Sequence, residues 1–323
     1  MIERTALLTG ANGQDGSYLS ELLLEKGYRV YGLVRRHSYA GLGNLSSCLS
    51  NPNFVLVNGD VTDPTSLISI ISQVQPDEIY NLAAMSFVGE SWNQPRLTNE
   101  VNYLGFLNLL EAVRGLGPEY QKHMRIYQAS SSEMYGNQLP PQNEETLMIP
   151  RSPYGVSKLA AHRLANVYRE SFGMFVASGI CFNHESPRRG VEFVTRKIAK
   201  SVAAIKRGEI SHIHLGTVAA SRDWGFAGDY VRAMWMMLQV NEPQDFVIAT
   251  GYASTVGQFM TAAVKVAGLP EPPEAYVIEE VSQRRPAEIW TLVGDPSKIS
   301  NRLGWHAECG FEELVRIMVE AEL

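Results

Sequence analysis

Short apolar runs alternate with longer amphipathic segments through the first 180 residues of the chain. Each run is four or five residues long and predicts a buried strand, and the segments between the runs have the length and periodicity of helices. The predicted strands are residues 6–9, 30–34, 54–57, 79–83 and 126–129. Strands that alternate with helices in this way predict an α/β fold with a doubly wound parallel sheet.

Residues at the expected helix ends agree with this pattern. Asp63 and Pro64 offer an N-cap and a first-turn proline before an apolar stripe, and Gly27 follows another stripe as a C-terminal cap. Beyond Ile180 the alternation gives way to loops rich in Gly, Pro and Arg, around helices predicted at 229–238 and 311–320. We predict a Rossmann-like nucleotide-binding domain over residues 1–180 and a smaller substrate-binding lobe over residues 181–323, interleaved with the first.

Composition narrows the class of protein. With 323 residues, 45% of them hydrophobic and 19% charged, the chain can bury a large core. Its net charge of −6 argues against broad binding of nucleic acid or membranes, so an anionic substrate would need a local arginine cluster. The three cysteines are far apart and predict neither a disulfide framework nor a metal site.

Nothing in the sequence indicates export or a membrane span. The apolar runs are much shorter than the roughly 20 residues that cross a bilayer. Residues Met1 to Arg4 lead directly into the first predicted strand without the layout of a signal peptide. We therefore expect a cytoplasmic protein.

A glycine-rich loop joins the first predicted strand to the first predicted helix, at residues 17–26. Glycines recur every third position, which permits a tight turn, close approach of the backbone to a pyrophosphate and close helix packing. A plain structural turn is the alternative, but the flanking strand and helix favour dinucleotide binding. The candidate cofactor contacts in this loop are Gly10, Asn12, Gly13, Gln14, Asp15 and Gly16.

Arginines stand at the end of the second predicted strand, where a protein selective for NAD usually has an acidic residue. Two guanidinium groups, Arg35 and Arg36, suit the 2′-phosphate of NADP, although a solvated basic pair is the simpler alternative. Further along, Asp60 is a candidate acceptor for the adenine amino group, next to Val61. Small or apolar residues after the fourth strand allow the cofactor to approach the sheet edge, namely Leu82, Ala83 and Ala84.

Candidate catalytic groups follow the fifth strand. Tyr154 and Lys158 are four residues apart and share one face of a predicted helix. The ammonium group, together with an oxidised nicotinamide, is expected to lower the pKa of the phenol from about 10. Ser131 and Glu133 follow the strand's carboxyl end, where ligands bind in such sheets. Their alternative interpretation is a serine-rich loop that ends in a surface glutamate.

These features resemble the extended short-chain dehydrogenase/reductases and, within them, the GDP-mannose 4,6-dehydratase family over essentially the whole chain. The segment from Phe182 to Gly190 is the most specific, because it is not typical of other branches of the superfamily. The segments that carry the resemblance are Thr9-Gly10 through Tyr18, Tyr127 to Ser130, Pro150 to Gly155, Phe182-Asn183-His184-Glu185-Ser186-Pro187-Arg188-Arg189-Gly190, Phe193 to Lys197, Arg222 to Gly225, Asp245 to Gly251, and Arg285 to Glu288.

The resemblance assigns roles to residues. It implies that Ser131, Glu133, Tyr154 and Lys158 are catalytic and that Lys158 and Tyr154 also contact the cofactor. It further implies cofactor contacts by Ser86, His184 and Arg189, although His184 alone would pass for a satisfied polar residue under a loop. The implied substrate contacts are Ser86, Ser131, Glu133, Asn183, Phe193, Val194, Lys197, Gly216, Arg222, Arg285 and Glu288.

The resemblance also implies a reaction. A GDP-sugar, GDP-mannose above all, would be oxidised at C4 with NADP, would lose water across C5 and C6, and would regain the hydride at C6, in a homodimer or homotetramer. A related GDP-sugar such as a GDP-heptose, a 4-keto-sugar reductase or epimerase, and a non-catalytic NADP-binding regulator are the alternatives. Two departures from the family pattern are Ser131 in place of threonine and Thr217 in place of asparagine.

Overall fold

The computed structural model describes residues 4–36, 41–270, 272–283 and 285–323. Met1 to Glu3, used above in the argument about export, lie outside the described residues. In chain order the strands are β1 Thr5–Thr9, β2 Arg29–Val34, β3 Phe54–Asn58, β4 Glu78–Asn81, β5 Arg125–Ser131, β6 Phe175–Cys181, β7 Asn183–Glu185, β8 Ile213–Leu215, β9 Ser221–Arg222, β10 Trp224–Phe226, β11 Phe246–Ile248, β12 Ser254–Thr255, β13 Val277–Glu279 and β14 Thr291–Leu292.

The helices mostly connect these strands. Asp63 caps α2 by accepting a hydrogen bond from Thr65 N, and Gly27 follows α1 with a φ of 80°, as the sequence predicts. The α-helices are α1 Gln14–Glu25, α2 Pro64–Val74, α3 Pro95–Asn99, α4 Gly105–Gly115, α5 Pro118–His123, α6 Pro153–Phe172, α7 Val194–Lys206, α8 Ala227–Met237, α9 Val256–Ala267, α10 Ser297–Leu303 and α11 Phe311–Glu320.

A parallel sheet of seven strands dominates the part of the chain that the structure describes, in the order β11-β6-β5-β4-β1-β2-β3. The order reverses at β1, which is the doubly wound arrangement predicted from the sequence. β11 comes from the second half of the chain and pairs with β6, so residues beyond 180 complete the sheet of the first half.

The predicted strands agree with β1 to β5 to within two residues at each end. The prediction extends the fourth strand to residue 83, but β4 ends at Asn81. The backbone N–H groups of Leu82 and Ala83 both donate to the Thr9 hydroxyl, at 3.1 Å each, instead of continuing the ladder. The chain therefore leaves the sheet beside the glycine-rich loop.

The sheet carries a separate core on each face because successive side chains of a strand point to opposite sides. Leu8 packs with residues of α1 and α8 on one face, and Leu7 packs with residues of α2 and α4 on the other. A third core in the second half joins α7, α9 and α11. None of the helices in the described residues is long and apolar enough to cross a membrane.

Candidate active site

Three adjoining cavities form a continuous trough along the carboxyl ends of the sheet strands, and we call them the first, middle and outer cavities. Asp15, Ser86 and Arg189 line both the first and the middle cavity. Asn183, Phe193 and Arg285 line both the middle and the outer cavity. Two elongated ligands can therefore bind end to end along the trough, one over the first cavity and the other over the middle and outer cavities.

The first cavity lies over the glycine-rich loop. Arg36 lies just outside it, in a surface depression that Arg35 and Asp60 also line. Tyr154, Lys158 and His184, which were also predicted to contact the cofactor, line the middle cavity instead. The predicted cofactor residues that line the first cavity are Gly10, Asn12, Gly13, Gln14, Asp15, Gly16, Arg35, Asp60, Val61, Leu82, Ala83, Ala84, Ser86 and Arg189.

The loop fits a dinucleotide for steric and electrostatic reasons. A Cβ on Gly10 would come within 2.9 Å of Ala83 N, and a Cβ on Gly16 would come within 2.4 Å of Gly10 O. Gly10 also has a φ of 67°, a conformation that glycine adopts readily. Gly13 is the N-cap of α1 and offers no side-chain acceptor, so the first-turn N–H groups can bind an anion. The residues present therefore suit the pyrophosphate of a nicotinamide dinucleotide.

The segment from Asn183 to Gly190 is tied to this loop. His184 Nε2 lies 2.8 Å from Asp15 Oδ2, and Gln14 Nε2 donates to His184 O at 3.0 Å. Arg188 forms a bidentate pair with Glu21 of α1. These contacts place the segment between the first and the middle cavity, as a shared wall.

Charge and burial act together on the His184–Asp15 pair. Burial opposes protonation of His184, but the charge and hydrogen bond of Asp15 outweigh it, so the pKa of His184 is raised. Burial likewise opposes ionisation of Asp15, yet His184 lowers the pKa of Asp15 overall. The His184 ring also stacks on Tyr230, with centroids 4.5 Å apart. Asp15 thus favours the protonated form of His184 and holds its ring beside the trough.

The start of α6 brings Tyr154 to the end of β5. The Ser152 side chain caps the helix by accepting from Gly155 N at 3.0 Å. Gly155 lets the helix approach closely, because a Cβ there would lie 2.9 Å from Glu133 O. Ser131 in turn caps the short 3₁₀ turn Ser132–Met134 by accepting from Glu133 N at 3.2 Å. The two helix starts thus hold the tyrosine, serine and carboxylate around the middle cavity.

The groups of the protein chain raise the pKa of Tyr154, and the lowering expected beside an oxidised nicotinamide stays a prediction. Burial raises the pKa of Tyr154 to about 12, while its hydrogen bond with Ser131 acts in the opposite direction. Lys158 Nζ lies 5.8 Å from the centre of the Tyr154 ring and donates to Ala129 O at 3.0 Å. Burial also lowers the pKa of Lys158 to about 8. The ammonium group is therefore near the tyrosine but is directed at the backbone of β5.

Glu133 is a buried carboxylate with one oxygen engaged. Its Oε1 accepts a hydrogen bond from Arg285 Nη1 at 3.1 Å. Its Oε2 is buried and has no hydrogen-bond partner among the described residues. A carboxylate in this position, in the same cavity as Tyr154 and Ser131, can take up or release a proton of a bound sugar.

The outer cavity collects the remaining predicted substrate residues. Arg222 is 7% exposed, and its Nη2 lies 3.6 Å from Glu288 Oε1. The Arg189 guanidinium lies 3.6 Å from the centre of the Phe193 ring and so joins this cavity to the first. Thr217, a departure from the family pattern, also lines the cavity. The predicted residues that line it are Asn183, Phe193, Val194, Lys197, Gly216, Arg222, Arg285 and Glu288. Ser86, Ser131 and Glu133 line the middle cavity.

Phe87 and Glu185 are among the lining residues of the outer cavity that were not predicted as site residues from the sequence. Phe87 lines the outer cavity and packs edge-on against Phe193 at 5.6 Å. Glu185 lines it as well, accepts from the Thr195 hydroxyl at 2.6 Å and lies 3.2 Å from Arg189 Nε. Glu185 lies within the most specific segment of the sequence, so its position there was an available signal. Phe87 follows the predicted Ser86, and no pattern singled it out.

Comparison with known proteins agrees with this geometry. Residues 7–318 match the protein family described as GDP-mannose 4,6 dehydratase. The chain is 47% identical over 328 residues to GDP-mannose 4,6 dehydratase 1 of Arabidopsis thaliana, covering 99% of this chain and 90% of that protein. It is 45% identical over 340 residues to the Homo sapiens GDP-mannose 4,6 dehydratase, covering 98% and 91%. The Thermus thermophilus UDP-glucose 4-epimerase, solved with NAD, superposes with a TM-score of 0.84 at 26% identity and covers 98% of each chain. The chain belongs to the GDP-mannose 4,6-dehydratase family.

Proposed function

We propose that this protein dehydrates GDP-mannose to GDP-4-keto-6-deoxy-mannose, with NADP in the first cavity and the sugar in the middle cavity. One observation carries the proposal beyond family membership. Tyr154, Ser131 and Glu133 converge on a single cavity that lies between a dinucleotide cleft and an arginine-lined pocket. This arrangement provides the separate proton acceptors that oxidation at C4 and elimination across C5 and C6 require.

Tyr154 acts at the sugar C4. Its phenolic oxygen takes the proton of the C4 hydroxyl, and Ser131 holds the same hydroxyl through its own oxygen. A nicotinamide dinucleotide held over the glycine-rich loop would supply the hydride acceptor for C4 and the hydride donor for C6. Lys158 contributes positive charge beside the tyrosine, which favours the phenolate. Burial is the main reason that the pKa of Tyr154 is about 12, and the positive charge of an oxidised nicotinamide would act against this effect.

Glu133 acts at C5 and C6. Once C4 is a ketone, the C5 proton is acidic, and the Glu133 carboxylate removes it. The same carboxyl group then protonates the departing C6 hydroxyl, which leaves as water. A hydride at C6 and a proton at C5 complete the 4-keto-6-deoxy sugar. Solvent supplies the C5 proton and takes up the proton that Tyr154 removed from the C4 hydroxyl, so one water is the only net loss.

Arg35 and Arg36 favour NADP over NAD. Their side chains are exposed at the mouth of the first cavity, beside Asp60, and both line the surface depression next to it. An arginine fork binds a phosphate by charge-assisted hydrogen bonds, which NAD cannot form because it lacks the 2′-phosphate.

The outer cavity is the proposed site of the GDP moiety. Arg222 and Arg285 supply the positive charge that a diphosphate needs in a chain whose net charge is −6. Phe193 and Phe87 offer apolar surface beside them. A GDP-heptose is the alternative substrate, since it differs only at the C6 substituent.

Mass analysis of the product tests the proposal. Purified protein incubated with NADP and GDP-mannose should convert the sugar to a product that has lost one water. GDP-heptose, UDP-glucose and dTDP-glucose serve as competing substrates. An epimerase or a reductase would return a sugar that retains the water, and that result would overturn the proposed reaction. Preferred conversion of GDP-heptose would move the assignment to that substrate.

Assembly and location stay predictions from the sequence. A homodimer or homotetramer is expected, and sedimentation analysis of the pure protein measures it directly. The expected cytoplasmic location is measured by fractionating cells that express the chain.

A further inference from the structure

A carboxylate and two guanidinium groups meet where the middle and outer cavities join. Glu133 Oε1 accepts a hydrogen bond from Arg285 at 3.1 Å, while its buried Oε2 has no hydrogen-bond partner among the described residues. Burial lowers the pKa of Arg222, and the charges of Glu133, Arg285 and Glu288 all act on it. Glu288 is the fourth charged group of this cluster. The four side chains are close enough to interact electrostatically, and the two carboxylates partly neutralise the two arginines.

The two arginines differ in how firmly they are held. Arg222 lies in β9, is 7% exposed, and donates from Nη1 to Ser221 O at 2.9 Å. Arg285 lies outside the helices and strands given above, and its side chain is 31% exposed. Arg285 is thus the guanidinium group that can turn toward a ligand without breaking a strand.

Two demands on Arg285 conflict. It lines both the middle and the outer cavity, so it can reach either the catalytic carboxylate or the diphosphate of a nucleotide sugar. A diphosphate presents more negative charge than one carboxylate and accepts a guanidinium bidentately. Glu133 has the opposite requirement, because the lone pair of Oε1 that accepts from Arg285 is not available to a proton from C5 while that hydrogen bond persists.

We propose that Arg285 changes partner when the nucleotide sugar binds. Its guanidinium leaves Glu133 for the diphosphate, and the departure frees Glu133 Oε1 for proton transfer. Arg285 is in this sense a positioning residue that acts through Glu133, and Oε1 is released only when a diphosphate ligand occupies the outer cavity. The inference rests on the proposed function, since it requires a nucleoside diphosphate at that site.

Binding of GDP alone tests the exchange. GDP carries the diphosphate but no hexose, so it has no sugar for Glu133 to act on. Calorimetry should be run on the parent, Glu133→Gln, Arg285→Gln and the double variant, all with NADP bound. If Arg285 must leave Glu133 in order to bind GDP, then Glu133→Gln removes that competition. We expect Glu133→Gln to tighten GDP binding about three- to tenfold relative to the parent. The double variant should bind GDP with the same affinity as Arg285→Gln.

The double variant separates the exchange from simple repulsion. Removing a negative charge near a diphosphate could tighten binding by itself, but that effect would be equal with and without Arg285. Arg285→Lys is the matched control, because it retains the positive charge and should retain part of the Glu133→Gln effect. Thermal unfolding of each variant checks that the fold is unchanged.

Each outcome decides the matter. Tightening that depends on Arg285 supports the exchange. Equal tightening in both backgrounds, no change, or weaker binding would overturn it while leaving the proposed reaction intact. Failure of the parent protein to bind GDP would overturn the proposed function, and the exchange with it.

Discussion

His184 Nε2 lies 2.8 Å from Asp15 Oδ2, across 169 residues of sequence. This contact joins the glycine-rich loop of the first cavity to the segment between Asn183 and Gly190, which borders the middle cavity. The pair therefore couples the geometry of the dinucleotide cleft to that of the catalytic groups. Its charge also makes the coupling dependent on pH.

The contribution of this pair to stability should fall as pH rises. The pKa of His184 in the folded protein is raised above its unfolded value of about 6.5. The pair thus stabilises fully below that value, and the contribution is lost as pH rises through the raised pKa. His184→Phe keeps a ring against Tyr230 but removes the charge. It should lower the free energy of unfolding by about 1–3 kcal/mol near pH 6 and by less near pH 9.

His162 provides a control with the opposite sign. It is buried, and burial lowers its pKa despite the nearby Asp245 carboxylate. The folded state then binds fewer protons than the unfolded state at low pH, so stability from His162 increases with pH. Denaturant unfolding of His162→Phe should therefore show a larger loss near pH 9 than near pH 6. If the loss in free energy of unfolding changed with pH in the same direction for both variants, the raised pKa of His184 would be contradicted.

Arg35→Ala should weaken the binding of NADP about tenfold or more, because one charge-assisted hydrogen bond is worth roughly 1.5–3 kcal/mol. The binding of NAD should stay unchanged, since NAD has no 2′-phosphate for the guanidinium to contact. Fluorescence titration with both cofactors measures the two dissociation constants. Arg36→Ala, at the neighbouring position in the same surface depression, tests whether the two arginines share the contact. Unchanged NADP binding in both variants would exclude this pair from cofactor selection.

Much of the first cavity could be predicted from the sequence because its signals are local. A glycine with a positive φ, a strand before it and a helix after it all lie within a short stretch of chain, as at Gly10. Tyr154 and Lys158, the predicted catalytic pair, are likewise neighbours on one helix. Such spacing is visible in the order of residues alone, so the pattern is enough to indicate the chemistry.

Contacts between distant segments could not be predicted in this way. Glu133 and Arg285 are 152 residues apart, and nothing local to either indicates that they form an ion pair. The strand β11 was missed for a similar reason, since three apolar residues do not reveal which sheet they join. The opposing effect of burial on the pKa of Tyr154 was also missed, because the sequence shows the nearby lysine but not the depth of burial.

Tyr154→Phe should reduce turnover of GDP-mannose by roughly 10²–10⁴-fold, the usual effect of removing a general base. Only the phenolic oxygen is lost, so the melting temperature and NADP affinity should stay close to those of the parent. Tyr135→Phe is the matched control. That phenol is also buried, but it donates to Asn143 O and lies outside the residues that line the middle cavity. Turnover of Tyr154→Phe within a few-fold of the parent would remove this tyrosine from the mechanism.

Glu133→Gln separates the two halves of the proposed reaction, because glutamine has a similar shape but cannot accept the C5 proton. The variant should still bind the nucleotide sugar, while formation of the dehydrated product falls roughly 10²–10⁴-fold. In deuterium oxide the parent should place deuterium at C5 of the product, and sugar recovered from the variant should carry none. Mass analysis and proton NMR of the same samples measure water loss and label position. Glu145→Gln, at an exposed carboxylate outside the residues that line the three cavities, is the control and should dehydrate within a few-fold of the parent. Dehydration by Glu133→Gln at a rate close to the parental one would mean that another group removes the C5 proton.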